Sequence, residues 1–315
     1  MNISHSILLL TAGVPLGLSL YFDCRGIRVI KPVSLFAYLM SLISLTINTI
    51  IFLISKYIFN PYCSRERNTE KIPFSYYFHK AFIFLTLPSI LHYISLPSIR
   101  SNTMSMCAPY GLVVLYIYIL FSRRQITLSK FQSIFLVSLF FSFFILFGQI
   151  LHRSIDEENP LLSILKLLCG IFKYGIVYIF KLFNNDYPKM EVSFLIFIHS
   201  LFATVFFLLS SFISCELENI IAGIIQMLKV QKTWHYISAI LQNVVGLHSF
   251  LHLMKKNSQI LEFVPYVLFL SGLPFAFTEL DEWEYIDIYE QKMRLFSMFL
   301  IGCSFVFHVI SMKKK

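Results

Sequence analysis

Residues 192–214 read VSFLIFIHSLFATVFFLLSSFIS, a stretch without a single Asp, Glu, Lys or Arg. In a helix rising about 1.5 Å per residue it is long enough to cross a hydrocarbon layer about 30 Å thick. It does not alternate apolar with polar residues as a half-buried strand does. Inside lipid every backbone N–H and C=O must be satisfied by the chain itself, which a helix achieves and an isolated strand does not. The stretch predicts a transmembrane α-helix.

The same reading applied outward places further spans near 4–22, 33–55, 76–97, 104–121, 132–151, 161–182, 236–254, 260–277 and 294–311. Lys166, Lys173 and Tyr174 interrupt the 161–182 run, and residues 217–230 are apolar but too short to cross alone, so they read as an interfacial or half helix. The expected count is about ten, within a range of nine to eleven. The apolar run from Ile7 to Phe22 lacks a basic leader and an A-x-A site, so it reads as a retained first span. The expected fold class is all-α: a multi-pass transmembrane helical bundle in one membrane domain over residues 1–315. No internal repeat is visible to the eye.

Composition agrees. The chain is 57% hydrophobic and 14% charged, with a mean hydropathy of +0.71. Soluble domains carry about a quarter charged residues, so lipid must act as solvent for much of this surface. With only 11 glycines against 34 phenylalanines, close helix contacts through small residues should be confined to a few places. The net charge of +9 does not point to nucleic acid, because the basic residues sit between apolar runs, where they anchor helix ends. Six cysteines show neither a CxxC pair nor metal-ligand spacing.

Loop charge orients the chain. With a cytosolic N-terminus, the cytosolic side gathers Lys56, Arg65, Arg67 and Lys71, then Arg123, Arg124 and Lys130, then Lys181 and Lys189, then Lys255, Lys256 and the C-terminal Lys313 to Lys315. The opposite side holds fewer basic residues and the acidic loop Glu279 to Glu290. Basic excess marks the cytosolic face, so both termini are expected there.

Four short stretches then fall in a recognisable order. Tyr21-Phe22, Arg25 and Ala37 come first, and Tyr93, Leu96, Ser101 and Thr103 precede a basic turn at Ser122 to Thr127, Gln132 and Gly148-Gln149. Ser210-Ser211-Phe212-Ile213 with Glu218 and Ile220 follow, and Trp234, Gln242, Gly246, Lys255, Ile260 and Leu261 close the series. Together they resemble the nucleotide-sugar transporter family of the drug/metabolite transporter superfamily. The resemblance implies an antiporter of a Golgi or endoplasmic-reticulum membrane, not an enzyme and without a cofactor. It would exchange a cytosolic nucleotide sugar, foremost a UDP-sugar, for a lumenal nucleoside monophosphate, and a homodimer is admitted. The sequence departs from the family where Tyr38 and Ser41 stand for a Glu and a Lys, and where Ser89-Ile90 stands for paired Asn residues.

A diphosphate in a midplane cavity requires cationic or N–H donors, and a base and a sugar require aromatic faces and hydroxyl or amide groups. The candidate substrate-binding residues are Lys255 and Lys256 as phosphate-holding charges, Tyr93 for stacking or hydrogen bonding, Ser89, Thr103 and Gln242 for polar contacts, and Glu218 as an intramembrane acid. Each has a plainer alternative: snorkelling for the lysines, packing for Tyr93, helix–helix hydrogen bonds for the small polar groups and an interfacial position for Glu218. His248 and His252 lie one turn apart, but no third metal ligand accompanies them. Two other readings stay open, a non-transporting scaffold of the same fold and a multispan enzyme of lipid-linked glycosylation. A carrier predicts an inner cavity holding Tyr93, Ser89, Gln242 and a cation; a scaffold predicts a filled core; an enzyme predicts an open groove near His248.

Overall fold

The computed structural model describes residues 3–27, 33–59, 72–96, 101–122, 129–157, 160–180, 191–214, 219–255, 259–278 and 288–313. Among them every regular element is helical: α1 (Ile3–Ile27), α2 (Val33–Ile54), α3 (Phe74–Ala81), α4 (Leu87–Ser95), α5 (Ser101–Ser122), α6 (Lys130–Glu157), α7 (Pro160–Ile179), α8 (Val192–Ile213), α9 (Ile220–Leu228), α10 (Val230–Lys255), α11 (Val264–Thr278) and α12 (Ile288–Lys313). A π turn, Ser55–Phe59, extends α2, a second, Phe82–Thr86, joins α3 to α4, and a 3₁₀ turn, Gln259–Phe263, leads into α11. Taken as continuous runs and leaving out the short α9, these helices make ten long segments among the described residues.

Among the described residues eight segments are long and apolar enough to cross a membrane. The sixth, α7, is one of them despite Lys166 and Lys173, its apolar window running Leu162–Ile179. The third segment is diluted by Tyr76, Tyr77, His79 and Lys80 in its first turns, and the ninth has a shorter apolar helix, Leu261–Leu273. α9 is too short to cross, as its sequence predicts. It lies on α2, where a Cβ added to Gly223 would meet Leu35 at 3.2 Å. Large apolar side chains such as Phe141, Phe144 and Phe299 point outward, as expected where the surrounding solvent is hydrocarbon.

The way the segments pair reveals an order hidden in the sequence. α1 packs on α10 and α11, α7 packs on α4 and α5, and the other extensive pairs are α2 with α8, α5 with α11, and α6 with α12. Shift every segment by five and this set maps onto itself. The first–eighth pair becomes the sixth–third, and the first–ninth becomes the sixth–fourth. Second–seventh, fourth–ninth and fifth–tenth each map onto themselves. Among the described residues the extensive pairings thus follow the pattern of two five-segment halves.

Glycine placement supports the same relation. In the first–ninth contact a Cβ on Gly13 would come 2.5 Å from Val267 Cγ1, and in the corresponding sixth–fourth contact a Cβ on Gly175 would come 2.6 Å from Val114 Cγ1. Each half thus uses a glycine to bring two backbones close, the way dispersion-driven packing works in lipid.

The third segment has a local cause for its irregularity. Pro88 lacks the N–H that an α-helix would use, and the preceding Phe82–Thr86 turn widens to π geometry. The helix then resumes through Ser89, His92 and Tyr93.

Candidate functional site

A cavity of about 140 Å³ opens between the halves. Its lining comes from α1, α2 and α4 of the first half and from α7, α8, α10 and α11 of the second. Asp23 near the end of α1, His92 in α4, Lys173 in α7 and His199 in α8 all line it. His92 Nε2 lies 3.1 Å from Asp23 Oδ2, with both side chains 7% exposed. An ionised carboxylate only accepts, so Nε2 carries the hydrogen of this pair. Among the lining residues Asp23 is the one acid and Lys173 the one permanently cationic group. Lys173 Nζ stands 4.9 Å from the centre of the Tyr174 ring, a distance at which a cation gains from the ring face.

Aromatic and hydroxyl groups complete the wall. Tyr93 meets Phe207 edge to face with ring centres 4.9 Å apart, and Tyr178 and Phe250 close another side. Ser89 lines the cavity while its hydroxyl donates to the Leu85 carbonyl one turn back. His199 from α8 pairs through Nδ1 with Thr86 Oγ1 at 3.1 Å, at the C-terminal end of the π turn. Beside it, Asn48 Nδ2 donates to Ser200 Oγ at 2.7 Å and to Ser44 Oγ at 3.2 Å, and Asn48 Oδ1 lies 3.3 Å from His248 Nε2. This chain of polar contacts ties α2, α8 and α10 together behind the wall.

Of the residues expected from sequence, the structure brings Tyr93 and Ser89 into the cavity. Gln242 is not among the lining residues: its side-chain Nε2 donates to Ser238 Oγ one turn back, and the face of α10 that reaches the cavity carries Ala239, Ile240, Asn243, Leu247 and Phe250. Lys255, also absent from the lining, is partly exposed in the last turn of α10, beyond Phe250. The cation at the cavity is Lys173 instead. Thr103 lies in α5, but its side chain, like Lys256 and Glu218, falls outside the described residues. His248 is engaged with Asn48, and no group of three metal-ligating side chains occurs among the described residues.

Asp23, His92, Lys173 and His199 were missed by reading for motifs. The signal that would have found them is elementary, since an ionisable side chain within an apolar span is a functional candidate by default. Lys173 stood out only as an interruption, and Asp23 fell one residue beyond the predicted first span.

With an ammonium, a carboxylate, an imidazole and phenols around one void, the site can hold an anionic group beside a hydroxyl-bearing one. A scan against protein-family models and a search of curated proteins returned no match to this chain.

Proposed function

We propose that the protein is a secondary carrier that moves an anionic, hydroxyl-rich solute across its membrane by alternating access. The observation that carries this reading is the cavity between two pseudo-symmetric halves, holding Lys173 with Asp23 and His92. Isolated charges are costly in hydrocarbon and persist where they serve a pathway. Substrate sites in carriers lie where repeats meet, and an odd number of spans per repeat makes the two halves inverted. On this reading all ten segments cross the bilayer and both termini are cytosolic.

The specific solute is a nucleotide sugar, foremost a UDP-sugar, exchanged for a nucleoside monophosphate in a Golgi or endoplasmic-reticulum membrane. That choice rests on the sequence resemblance and on the match between its chemistry and the wall: ammonium for phosphate, Tyr93 and Tyr174 for the base, Ser89 and neighbouring hydroxyls for the sugar. The cavity of about 140 Å³ is smaller than the roughly 300–1,000 Å³ of drug-sized ligand sites. The conformation is accordingly a closed one, and the halves must part to admit a whole nucleotide sugar. A cavity that holds a cation between the halves favours a carrier over a packed scaffold. No step of covalent chemistry is needed: binding has only to differ between inward- and outward-facing states.

The test is reconstitution of the full chain in vesicles preloaded with UMP or GMP, followed by uptake of a panel of labelled nucleotide sugars. Uptake of at least one sugar that depends on the trapped monophosphate is expected. Equal counts in loaded and empty vesicles across the whole panel would remove the assignment.

A further inference from the structure

We propose that His92 and Asp23 form a proton site coupled to the anion site at Lys173, so that a proton enters the cavity together with the anionic solute. This deepens the carrier reading above and rests on it.

The geometry of His92 is the starting point. Its Nε2–H is committed to Asp23 Oδ2 at 3.1 Å, while its Nδ1 is buried and has no hydrogen-bond partner. A buried, bare lone pair is costly unless it is used. Nδ1 belongs to a side chain that lines the cavity. A proton taken there converts the ring to imidazolium, whose Nε2–H remains held by the carboxylate of Asp23. Nothing else need move: the proton comes from water on one side and returns to water on the other.

Charge balance supplies the coupling. With Asp23 ionised, Lys173 protonated and His92 neutral, the empty cavity carries no net charge. Bringing in an anion adds negative charge to a region that penalises any imbalance. Protonation of His92 offsets one unit of it, beside the ammonium of Lys173 on the same cavity wall. The facing titratable groups fit this division. Asp23 approaches from α1; Lys173, Tyr174 and Tyr178 from α7; and His199, occupied by Thr86, from α8; Tyr93 flanks His92 on α4. The lining residues from α2, α10 and α11 bring no titratable group.

Two measurements decide it. The first needs no transport: nitrogen NMR of the ¹⁵N-histidine-labelled full chain in liposomes, with His92 assigned by its absence in His92→Gln. Between about pH 3 and 9, His92 should pass from imidazolium to the neutral ring, at higher pH when UMP is present and at lower pH in Asp23→Asn. One unchanging charge state, or a step indifferent to both UMP and Asp23→Asn, overturns the proposal. The second measures the initial rate of labelled nucleotide-sugar uptake, at limiting sugar, into UMP-loaded vesicles with and without an acid-outside gradient; the proton that enters with the sugar leaves with the UMP, so the loading rate and not the final level responds. A ratio of about five or more is expected for the wild type and a ratio near one for His92→Gln, whatever absolute rate remains. A wild-type ratio of one also overturns it. Should no sugar exchange at all, the carrier reading falls, while the NMR step still decides the proton site.

Discussion

Ser142 on α6 and Ser297 on α12 each donate a hydroxyl hydrogen to the other's backbone carbonyl, at 2.9 and 3.3 Å. The contact is self-complementary, the signature of a two-fold relation, here within one chain and between the fifth and tenth segments. Because the Ser142 hydroxyl is spent on the Ser297 carbonyl, Tyr110 OH must be the donor in its 2.6 Å bond to Ser142 Oγ. All three side chains are buried.

The two serines should therefore differ. Ser142→Ala removes two bonds, the one to the Ser297 carbonyl and the one from Tyr110, and strands the Tyr110 hydroxyl; it is expected to cost about 1–3 kcal/mol. Ser297→Ala removes one bond and strands only a helical carbonyl that keeps its own partner, and should cost about 0.6 kcal/mol. Unfolding of the purified variants in mixed micelles measures both. Equal losses would contradict the donor assignment.

Close backbone approach makes a second prediction. Gly175→Val places its Cβ against Val114, and should reduce the yield of monodisperse protein several-fold or lower its stability by about 1–3 kcal/mol. Gly148→Ala, inside α6 and with nothing within 4 Å of the added carbon, should cost nothing and raise stability by up to about 1 kcal/mol. Size-exclusion profiles after heating give the comparison.

The cavity cation is testable against the helix-end lysine. Lys173→Ala should lower exchange at least about tenfold at equal protein level, equivalent to about 1.4 kcal/mol or more of lost solute stabilisation. Lys255→Ala should retain more than about half, because a partly exposed lysine in the last turn of a helix acts chiefly as an anchor. Initial uptake rates in monophosphate-loaded vesicles check both.

Behind the wall, Asn48 serves Ser44, Ser200 and His248 at once. Asn48→Leu preserves bulk but leaves Ser200 and His248 without this partner, and should cost about 1–2 kcal/mol. In a double-mutant cycle with Ser200→Ala the losses should be less than additive by about 0.5 kcal/mol or more. Strict additivity would show that the 2.7 Å contact carries no energy.

The helices were legible in the sequence because hydrocarbon imposes a simple rule of length and polarity, and α7 forms where residues 161–182 predict a span even though Lys166 and Lys173 interrupt it. The site was legible only in part. Tyr93 and Ser89 sit where an inward face was expected, but the meeting of Asp23, His92 and Lys173 depends on how α1, α4 and α7 pack. Nothing local records that packing. Lys255 was a candidate through its place in the family resemblance, yet a lysine at a helix end meets water more readily than a buried wall. The repeat escaped notice because it lives in which segments touch and in the close contacts of glycines such as Gly13 and Gly175, neither of which is local in sequence.

The π turn at Phe82–Thr86 has a consequence for how this chain is compared with others. Such a turn accommodates one residue more than an α-helical turn, so a helical wheel drawn straight through from Phe74 to Ser95 slips by about one position after Thr86. His92 and Tyr93 would then be assigned to the wrong side of the rod. Any residue-by-residue matching across this segment needs a one-position gap inside the helix itself, a place where alignments are seldom allowed to open.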